Sequence, residues 1–185
     1  MARLAVFDLD GTLLDSDAAL LAPFAALGVD PSTVPLGLPA AEACALAGIT
    51  LEGYVAHYDT TAVAPFPGVD ELLARLDRWG VASNKTRSSG QAELDRLGWA
   101  PEIARFSEDF DGAGKSLEPV LAVLGVAPAH VVYVGDTDHD RACAARAGTH
   151  FALAGWNPRA RLGALAGDLV LDHPLEVLDL LAALN

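Results

Sequence analysis

Residues 4–13 read LAVFDLDGTL, a short apolar run followed by the turn sequence Asp-Leu-Asp-Gly-Thr. Apolar runs of this length that stop at turn-forming residues are typical of buried strands in a parallel sheet. Similar runs predict strands at residues 80–83, 131–135, 150–154 and 168–171, and a weaker run predicts one at 103–107. Helical patterns lie between them, at residues 69–78, 88–97, 117–124 and 140–147. This alternation from residue 66 onward predicts an α/β fold, a Rossmann-like parallel sheet with helices on both faces.

Residues 15–65 interrupt the alternation and contain no run typical of a buried strand. Their alanine- and leucine-rich pattern predicts helices at 17–27, 39–47 and 51–58, punctuated by prolines and glycines. We therefore expect two domains. Residues 1–14 and 66–185 would form the α/β core, and residues 15–65 would form a small all-helical cap inserted after the first strand.

The composition is that of a folded protein with a strong excess of acid. The chain has 185 residues, is 52% hydrophobic and carries a formal net charge of −13. The apolar content excludes the disordered class, and the negative field repels nucleic acid. The N-terminal segment already contains a carboxylate at Asp8, which is not typical of a signal peptide. The longest apolar run, 18–29, is too short to cross a bilayer. We expect a cytoplasmic protein with no nucleic-acid or membrane partner, and reduced thiols at Cys44 and Cys143.

Polar side chains follow three of the predicted strands where each strand ends. They are Asp8 and Asp10, Ser83 and Asn84, and Asp136 with Asp140, while Lys115 precedes the helix that leads into the strand at 131–135. Ligands of parallel sheets bind outside the carboxyl ends of the strands, so these groups should converge on one crevice. The chain has ten arginines but only two lysines, which makes Lys115 a candidate for a role that arginine does not fill.

These residue types indicate phosphoryl chemistry. Asp8 and Asp136, at the tips of adjacent strands, need a compensating cation, and hard oxygen ligands suit Mg²⁺, which also binds phosphate oxygens. Asp8 could attack phosphorus and form an aspartyl-phosphate. Asp10 lies two residues further along an extended chain and therefore faces the same cleft, where it could protonate the leaving group and then activate water. Ser83, Lys115 and backbone amides could hold the remaining phosphate oxygens.

Four motifs together resemble those of the haloacid dehalogenase superfamily, in the same order. They are Asp8-Leu9-Asp10-Gly11-Thr12-Leu13, Ser83-Asn84-Lys85, Lys115, and Gly135-Asp136-Thr137-Asp138-His139-Asp140. The apolar framework extends the similarity over almost the whole chain. The segment Phe66-Pro67-Gly68-Val69 before a helix, together with the helical insertion, is similar to the phosphoglycolate-phosphatase-like subgroup with a helical cap.

The resemblance implies a role for each matching residue. Asp8 would be the nucleophile and a magnesium ligand, and Asp10 the general acid/base, with its backbone carbonyl on the metal. Asp136 would bind the metal. Asp140 is assigned to the same metal site, where it would support Asp136 through water or Lys115. The implied phosphate-binding residues are Gly11, Thr12, Ser83, Asn84 and Lys115, of which the first two also shape the turn. Dehalogenases of this superfamily lack the second Asp, so Asp10 implies a phosphatase or phosphomutase.

For several residues near these motifs, the sequence is compatible with either a role in the site or a purely structural or solvated position. Lys85 could serve the site or be a solvated loop lysine. Trp156 and Arg159 could approach the cleft or pack structurally, with packing favoured. Tyr54 and Tyr58 are interpreted as packing residues of the cap helices.

The sequence thus predicts a Mg²⁺-dependent phosphatase that hydrolyses a small phosphorylated metabolite, a phosphoglycolate- or sugar-phosphate-like monoester. Two alternatives stay open. One is a β-phosphoglucomutase-like phosphotransferase, and the other is a non-catalytic relative that binds a phospholigand or a partner. The predicted cap is short for this subgroup, so the particular substrate is left unassigned.

Overall fold

The computed structural model describes residues 4–110 and 114–183, and its centre is a six-stranded sheet. The strands are β1 (Leu4–Phe7), β2 (Leu14–Asp15), β3 (Ala64–Pro65), β4 (Trp79–Ala82), β5 (Ile103–Arg105), β6 (Val131–Gly135), β7 (His150–Ala154) and β8 (Val170–Leu171). The sheet has the order β5-β4-β1-β6-β7-β8, and every pairing within it is parallel. The outermost residues of the predicted core domain, 1–3 and 184–185, lie outside the described residues, as do 111–113.

The described residues also form nine α-helices. These are α1 (Asp17–Ala26), α2 (Ala40–Ala47), α3 (Leu51–His57), α4 (Val69–Ala74), α5 (Arg87–Leu97), α6 (Glu118–Leu124), α7 (Asp138–Ala147), α8 (Pro158–Leu162) and α9 (Glu176–Ala183). Short 3₁₀ turns occur at Pro31–Thr33, Ser107–Asp109 and Pro128–His130. Gly98 and Gly125, which directly follow the predicted helices 88–97 and 117–124, end α5 and α6 in the left-handed conformation that glycine adopts readily.

Two apolar cores lie on opposite faces of the sheet because successive side chains of a strand point to opposite sides. In β1, Ala5 and Phe7 belong to the core that includes residues of α4, α5 and α9. Leu4 and Val6 belong to the other core, which includes residues of α6 and α7. The predicted α/β fold with helices on both faces is therefore confirmed.

The insertion contains one feature that the sequence interpretation omitted. β2 and β3 pair antiparallel, with Leu14 opposite Pro65 and Asp15 opposite Ala64, so a two-stranded ribbon joins the two ends of the predicted all-helical segment. Strands of two residues are too short to show an alternating pattern. Helices α8 and α9 were also not predicted, and α4 ends at Ala74 rather than at residue 78.

Helices α1, α2 and α3 bury a small apolar cluster of their own. Phe24, Ala43, Cys44 and Tyr54 form it, and the rings of Phe24 and Tyr54 lie 5.1 Å apart. Cys44 is a free thiol, as is Cys143 in the sheet core, which agrees with the reduced state that the sequence predicts. None of the helices in the described ranges combines the length and apolar character that a bilayer crossing requires.

Candidate active site

The polar residues predicted at the strand ends meet at one edge of the sheet. Because β1 lies between β4 and β6, the residues that follow these three strands are brought side by side. The backbone N–H of Asp8 continues the β1–β6 pairing by donating to the Val134 carbonyl at 3.0 Å. The predicted site residues that line one common cavity there are Asp8, Asp10, Ser83, Asn84 and Asp136.

Three buried carboxylates lie at the centre of this edge. Oxygen atoms of Asp8, Asp136 and Asp140 lie within 4.8 Å of one another. Burial raises the pKa of Asp8 to about 6 and the pKa of Asp136 well above its ordinary value, and repulsion between the acids adds to both shifts. Asp8 Oδ1 is buried, and the Lys115 ammonium lies 3.1 Å from it. A divalent cation would relieve the repulsion among the three acids, so this set of carboxylate oxygens fits a hard metal ion.

Asp140 has both carboxylate oxygens occupied by donors. Its Oδ1 accepts hydrogen bonds from Lys115 Nζ at 2.6 Å and from the Tyr133 hydroxyl at 2.9 Å. Its Oδ2 accepts from the backbone N–H groups of Asp136 and Thr137 at 3.2 and 3.0 Å, and from the Thr137 hydroxyl at 2.6 Å. Burial would raise the pKa of Asp140, but Lys115 and these hydrogen bonds hold it below its ordinary value. The geometry favours an orienting role, and direct metal ligation by Asp140 stays a prediction.

Lys115 is a buried cation between two acids. Its Nζ lies 2.6 Å from Asp140 Oδ1 and 3.1 Å from Asp8 Oδ1. Burial would lower the pKa of Lys115, but the two carboxylates outweigh that effect and raise it above its ordinary value. The side chain therefore keeps its charge next to Asp8, where a positive charge suits the oxygens of a phosphoryl group.

The turn after Asp10 is shaped by close contact with Asp136. Gly11 has φ +74°, and a Cβ at this position would overlap Asp136 Oδ2, so only glycine fits. The Thr12 hydroxyl donates to Asp136 Oδ1 at 3.3 Å. From the loop after β7, Asn157 Nδ2 donates to the Gly11 carbonyl at 2.8 Å and Trp156 Nε1 donates to the Thr12 carbonyl at 2.9 Å. Phosphate binding by Gly11 and Thr12 stays a prediction, whereas their contact with the acid cluster is evident.

Lys85 is buried and contacts Asp10, which excludes the solvated-loop interpretation. Its Nζ donates to Asp10 Oδ1 and to the Tyr58 hydroxyl, both at 2.7 Å, and lies 3.1 Å from Glu93 Oε1. The Tyr58 hydroxyl in turn donates to Glu93 Oε1 at 2.7 Å. Tyr58 follows α3 in the insertion and Glu93 lies on α5, so this network joins both parts of the chain to Asp10. Sequence reasoning did not select Glu93, and it assigned Tyr58 to packing.

Glu93 should make the stability of the protein depend on pH. Burial raises the pKa of Glu93 from 4.5 to about 7, against a smaller lowering by Lys85. The folded state therefore binds this proton more tightly than the unfolded chain, and ionisation of Glu93 lowers the free energy of unfolding as pH rises from about 4.5 through 7. We expect Glu93→Gln to lose less stability than the wild type over this range, as measured by urea unfolding. Parallel curves for both proteins would contradict this, and Glu52→Gln, an exposed acid, is the control.

Ser83 and Asn84 differ in their surroundings. Ser83 is buried, and its Oγ accepts a hydrogen bond from the backbone N–H of Lys85 at 3.3 Å. Asn84 Nδ2 donates to the Gly37 carbonyl of the insertion at 3.0 Å. Asn84 Oδ1 is buried and has no hydrogen-bond partner among the described residues. Asn84 thus connects the core with the loop at Gly37, and phosphate binding by Ser83 and Asn84 stays a prediction.

Arg159, at the start of α8, lies at the acid cluster rather than packing away from it. Its Nη2 donates to Asp136 Oδ2 at 2.5 Å, and its Nε and Nη2 donate to the two Asp17 oxygens at 2.6 and 3.0 Å. The guanidinium therefore bridges Asp136 to the first helix of the insertion. The favoured sequence interpretation, structural packing, did not include this pairing with Asp136.

The chain belongs to the haloacid dehalogenase-like hydrolase family. Residues 48–154 match the model of that family, which confirms the resemblance carried by the four motifs. The match includes the second to fourth motifs and the segment between them.

Two named relatives that cover nearly the whole chain are phosphatases. The N-acetylmuramic acid 6-phosphate phosphatase of Pseudomonas aeruginosa is 29% identical over 95% of this chain and 93% of its own length. The phosphoglycolate phosphatase of Aquifex aeolicus is 31% identical over 97% of this chain and 96% of its own. Among solved structures, a haloacid dehalogenase-like family hydrolase from Streptococcus pneumoniae superposes with a TM-score of 0.76 at 21% identity, over 96% of this chain and 97% of that one, which supports the fold.

Proposed function

We propose that the chain is a Mg²⁺-dependent phosphatase, a phosphoric monoester hydrolase that acts on small phosphorylated metabolites through an aspartyl-phosphate intermediate. The observation that carries this proposal is the buried carboxylate of Asp8, which lies in a cluster of three acids beside the cation of Lys115 at the edge of a cavity. Membership in a hydrolase family with phosphatase relatives supports the same activity.

The proposed reaction has two displacement steps. In the first, an oxygen of Asp8 forms a bond to phosphorus while the ester bond breaks, and Asp10 gives its proton to the leaving alcohol oxygen. In the second, Asp10 takes a proton from water, the water oxygen attacks phosphorus, and the bond to Asp8 breaks. Inorganic phosphate leaves, and both carboxyl groups return to their starting states.

The metal and the phosphate would be held by groups that surround Asp8. Asp8 and Asp136 would supply carboxylate ligands, Asp10 its backbone carbonyl, and Asp140 the support of this cluster. Bound Mg²⁺ would supply positive charge to the phosphate oxygens. The proposed phosphate contacts are Ser83, Asn84, Lys115 and the turn at Gly11 and Thr12.

We further propose that residues 15–65 act as a cap on a core formed by 1–14 and 66–185. The separate cluster around Phe24 and Tyr54 supports this division, as does the ribbon that joins the two ends of the insertion. Contacts from Gly37 to Asn84 and from Tyr58 to Lys85, and the residues of 15–65 that line the cavity, support this role. A cap in this position would exclude water from the intermediate.

Lys85 should act on the first step by holding Asp10. We expect Lys85→Met/Glu93→Gln, in which the buried Glu93 charge is removed together with its cation, to slow alcohol release from an alkyl phosphate by about 100-fold. Release of p-nitrophenol from p-nitrophenyl phosphate should fall much less, because this leaving group needs little protonation. The measurement is single-turnover alcohol release, with Glu93→Gln as the matched control. Equal losses on both esters would contradict a role through Asp10.

The proposed function is tested by phosphate release from a panel of metabolite esters with Mg²⁺. Asp8→Asn, purified in parallel, is the blank that accounts for contaminating phosphatase. Hydrolysis by the wild type above this blank supports the proposal. A panel with no hydrolysis, together with measurable Mg²⁺ binding, would instead favour the non-catalytic alternative.

A further inference from the structure

The cavity beside Asp8 extends into the insertion, and its wall there is apolar. Its volume is about 700 Å³, including the part open to solvent. The insertion contributes chiefly hydrocarbon side chains to this wall, among them Leu20, Phe24, Val34, Leu36, Leu38 and Ala43. Because Asp8 and Asp10 line the opposite side, a phosphate held at the acid cluster would place the alcohol portion of its ester against this wall.

The insertion brings no basic side chain to the cavity. Residues 15–65 contain no lysine and no arginine, and they carry six acidic residues. Their single histidine, His57, is exposed and does not line the cavity. A second anionic group on the alcohol would therefore meet mainly hydrocarbon and no cation from the insertion on this side.

The cations that line the cavity from the core are already paired. Among the described lining residues these are Lys85 and Arg159. Lys85 is held by Asp10 and Glu93, and Arg159 by Asp17 and Asp136. A substrate carboxylate in the alcohol half of the cavity would have to break one of these pairs or lie buried without a counter-charge, and both are unfavourable.

The core side of the cavity includes Asn84, whose Oδ1 is buried and has no hydrogen-bond partner among the described residues. Its amide nitrogen is used by the Gly37 carbonyl, which fixes the orientation of the amide group. The free oxygen accepts hydrogen bonds and donates none, so it suits a hydroxyl or N–H group and disfavours an anion.

We infer that the preferred substrate is the phosphate monoester of an uncharged, predominantly apolar alcohol, and that a second anionic group on the alcohol is disfavoured. This inference rests on the proposed phosphatase function. It separates the chain from the two curated relatives described above, because phosphoglycolate and N-acetylmuramic acid 6-phosphate, from which they are named, both contain a carboxylic acid. Burial of apolar surface supplies binding here, and the unpaired charge of a carboxylate opposes it.

A matched pair of esters tests the inference on the full chain with Mg²⁺. 2-Phosphoglycolate and 2-phosphoglycolamide differ by a carboxylate against an amide of similar size, and benzyl phosphate adds an apolar group. We expect kcat/KM to be at least about tenfold higher for the amide than for the acid, and higher again for benzyl phosphate. Equal or faster hydrolysis of 2-phosphoglycolate would overturn the inference and leave the phosphatase function intact. Failure to hydrolyse any ester, p-nitrophenyl phosphate included, would overturn both.

A charge introduced into the wall supplies the second test. Leu36 lines the cavity but is not part of the buried cluster of the insertion. We expect Leu36→Lys to raise kcat/KM for 2-phosphoglycolate relative to the amide by about tenfold, and Leu36→Met, the matched control, to leave this ratio unchanged. An unchanged ratio in Leu36→Lys would show that this wall does not contact the alcohol, and would overturn the inference.

Discussion

Asp8→Asn is expected to lower phosphate release from every ester that the wild type hydrolyses by about 10⁴-fold or more. The amide lacks the anionic oxygen that is proposed to attack phosphorus, and the substitution also removes a proposed metal ligand. The fold should survive. Burial raises the pKa of Asp8 to about 6, so the ionised side chain lowers the free energy of unfolding as pH rises above its unfolded value of 3.8. An uncharged Asn is therefore expected to leave the melting temperature at neutral pH unchanged or higher.

The control for this variant is Asp77→Asn, the same substitution at an exposed position outside the cavity. It should retain wild-type turnover. Turnover in Asp8→Asn that is comparable with Asp77→Asn, at equal purity, would reject Asp8 as the nucleophile. Loss of activity accompanied by a large fall in melting temperature would point to a structural role for the side chain instead.

Removal of divalent cations is expected to abolish turnover, and added Mg²⁺ should restore it. Asp8, Asp136 and Asp140 are buried close together, and without a cation their repulsion stays uncompensated except by Lys115 and Arg159. Mg²⁺ should therefore also raise the melting temperature of the substrate-free protein, because a ligand that binds only the folded state stabilises it. Dialysis against EDTA followed by titration with Mg²⁺ measures both effects.

Asp136→Asn should weaken both responses to Mg²⁺. The matched control is Asp138→Asn two residues away, whose side chain is exposed and pairs with Arg141. Full activity after chelation, or a wild-type melting temperature that does not change when Mg²⁺ is added, would contradict the metal assignment. Because the melting temperature does not depend on catalysis, it separates a failure of metal binding from a failure of turnover.

The strand ends could be predicted from sequence because they follow from local patterns. The apolar run of β1 stops at Asp8, that of β6 stops at Asp136, and parallel pairing then brings the two carboxylates together whatever the rest of the chain does. The helix ends at Gly98 and Gly125 were equally readable, since each depends on one glycine and its neighbours.

The contacts between the insertion and the core could not be predicted in this way. Tyr58 meets Glu93, and Arg159 meets Asp17, across long separations in sequence, and each pairing depends on where the insertion sits on the sheet. No periodicity encodes that placement. One signal was available: Glu93 is an acid four residues before Leu97 on the predicted helix 88–97, where it shares a face with an apolar residue, and a buried acid requires a partner.

The hydrogen bond from Lys85 to the Tyr58 hydroxyl links the size of the substrate alcohol to the position of Asp10. The same ammonium group contacts Asp10, the proposed proton donor. An alcohol bulky enough to displace the end of α3 would therefore also weaken the contact that orients Asp10. An oversized ester would then bind but phosphorylate Asp8 slowly, so that kcat would fall while KM stayed nearly the same. The insertion would thus discriminate against oversized alcohols by lowering the rate at which Asp10 donates its proton.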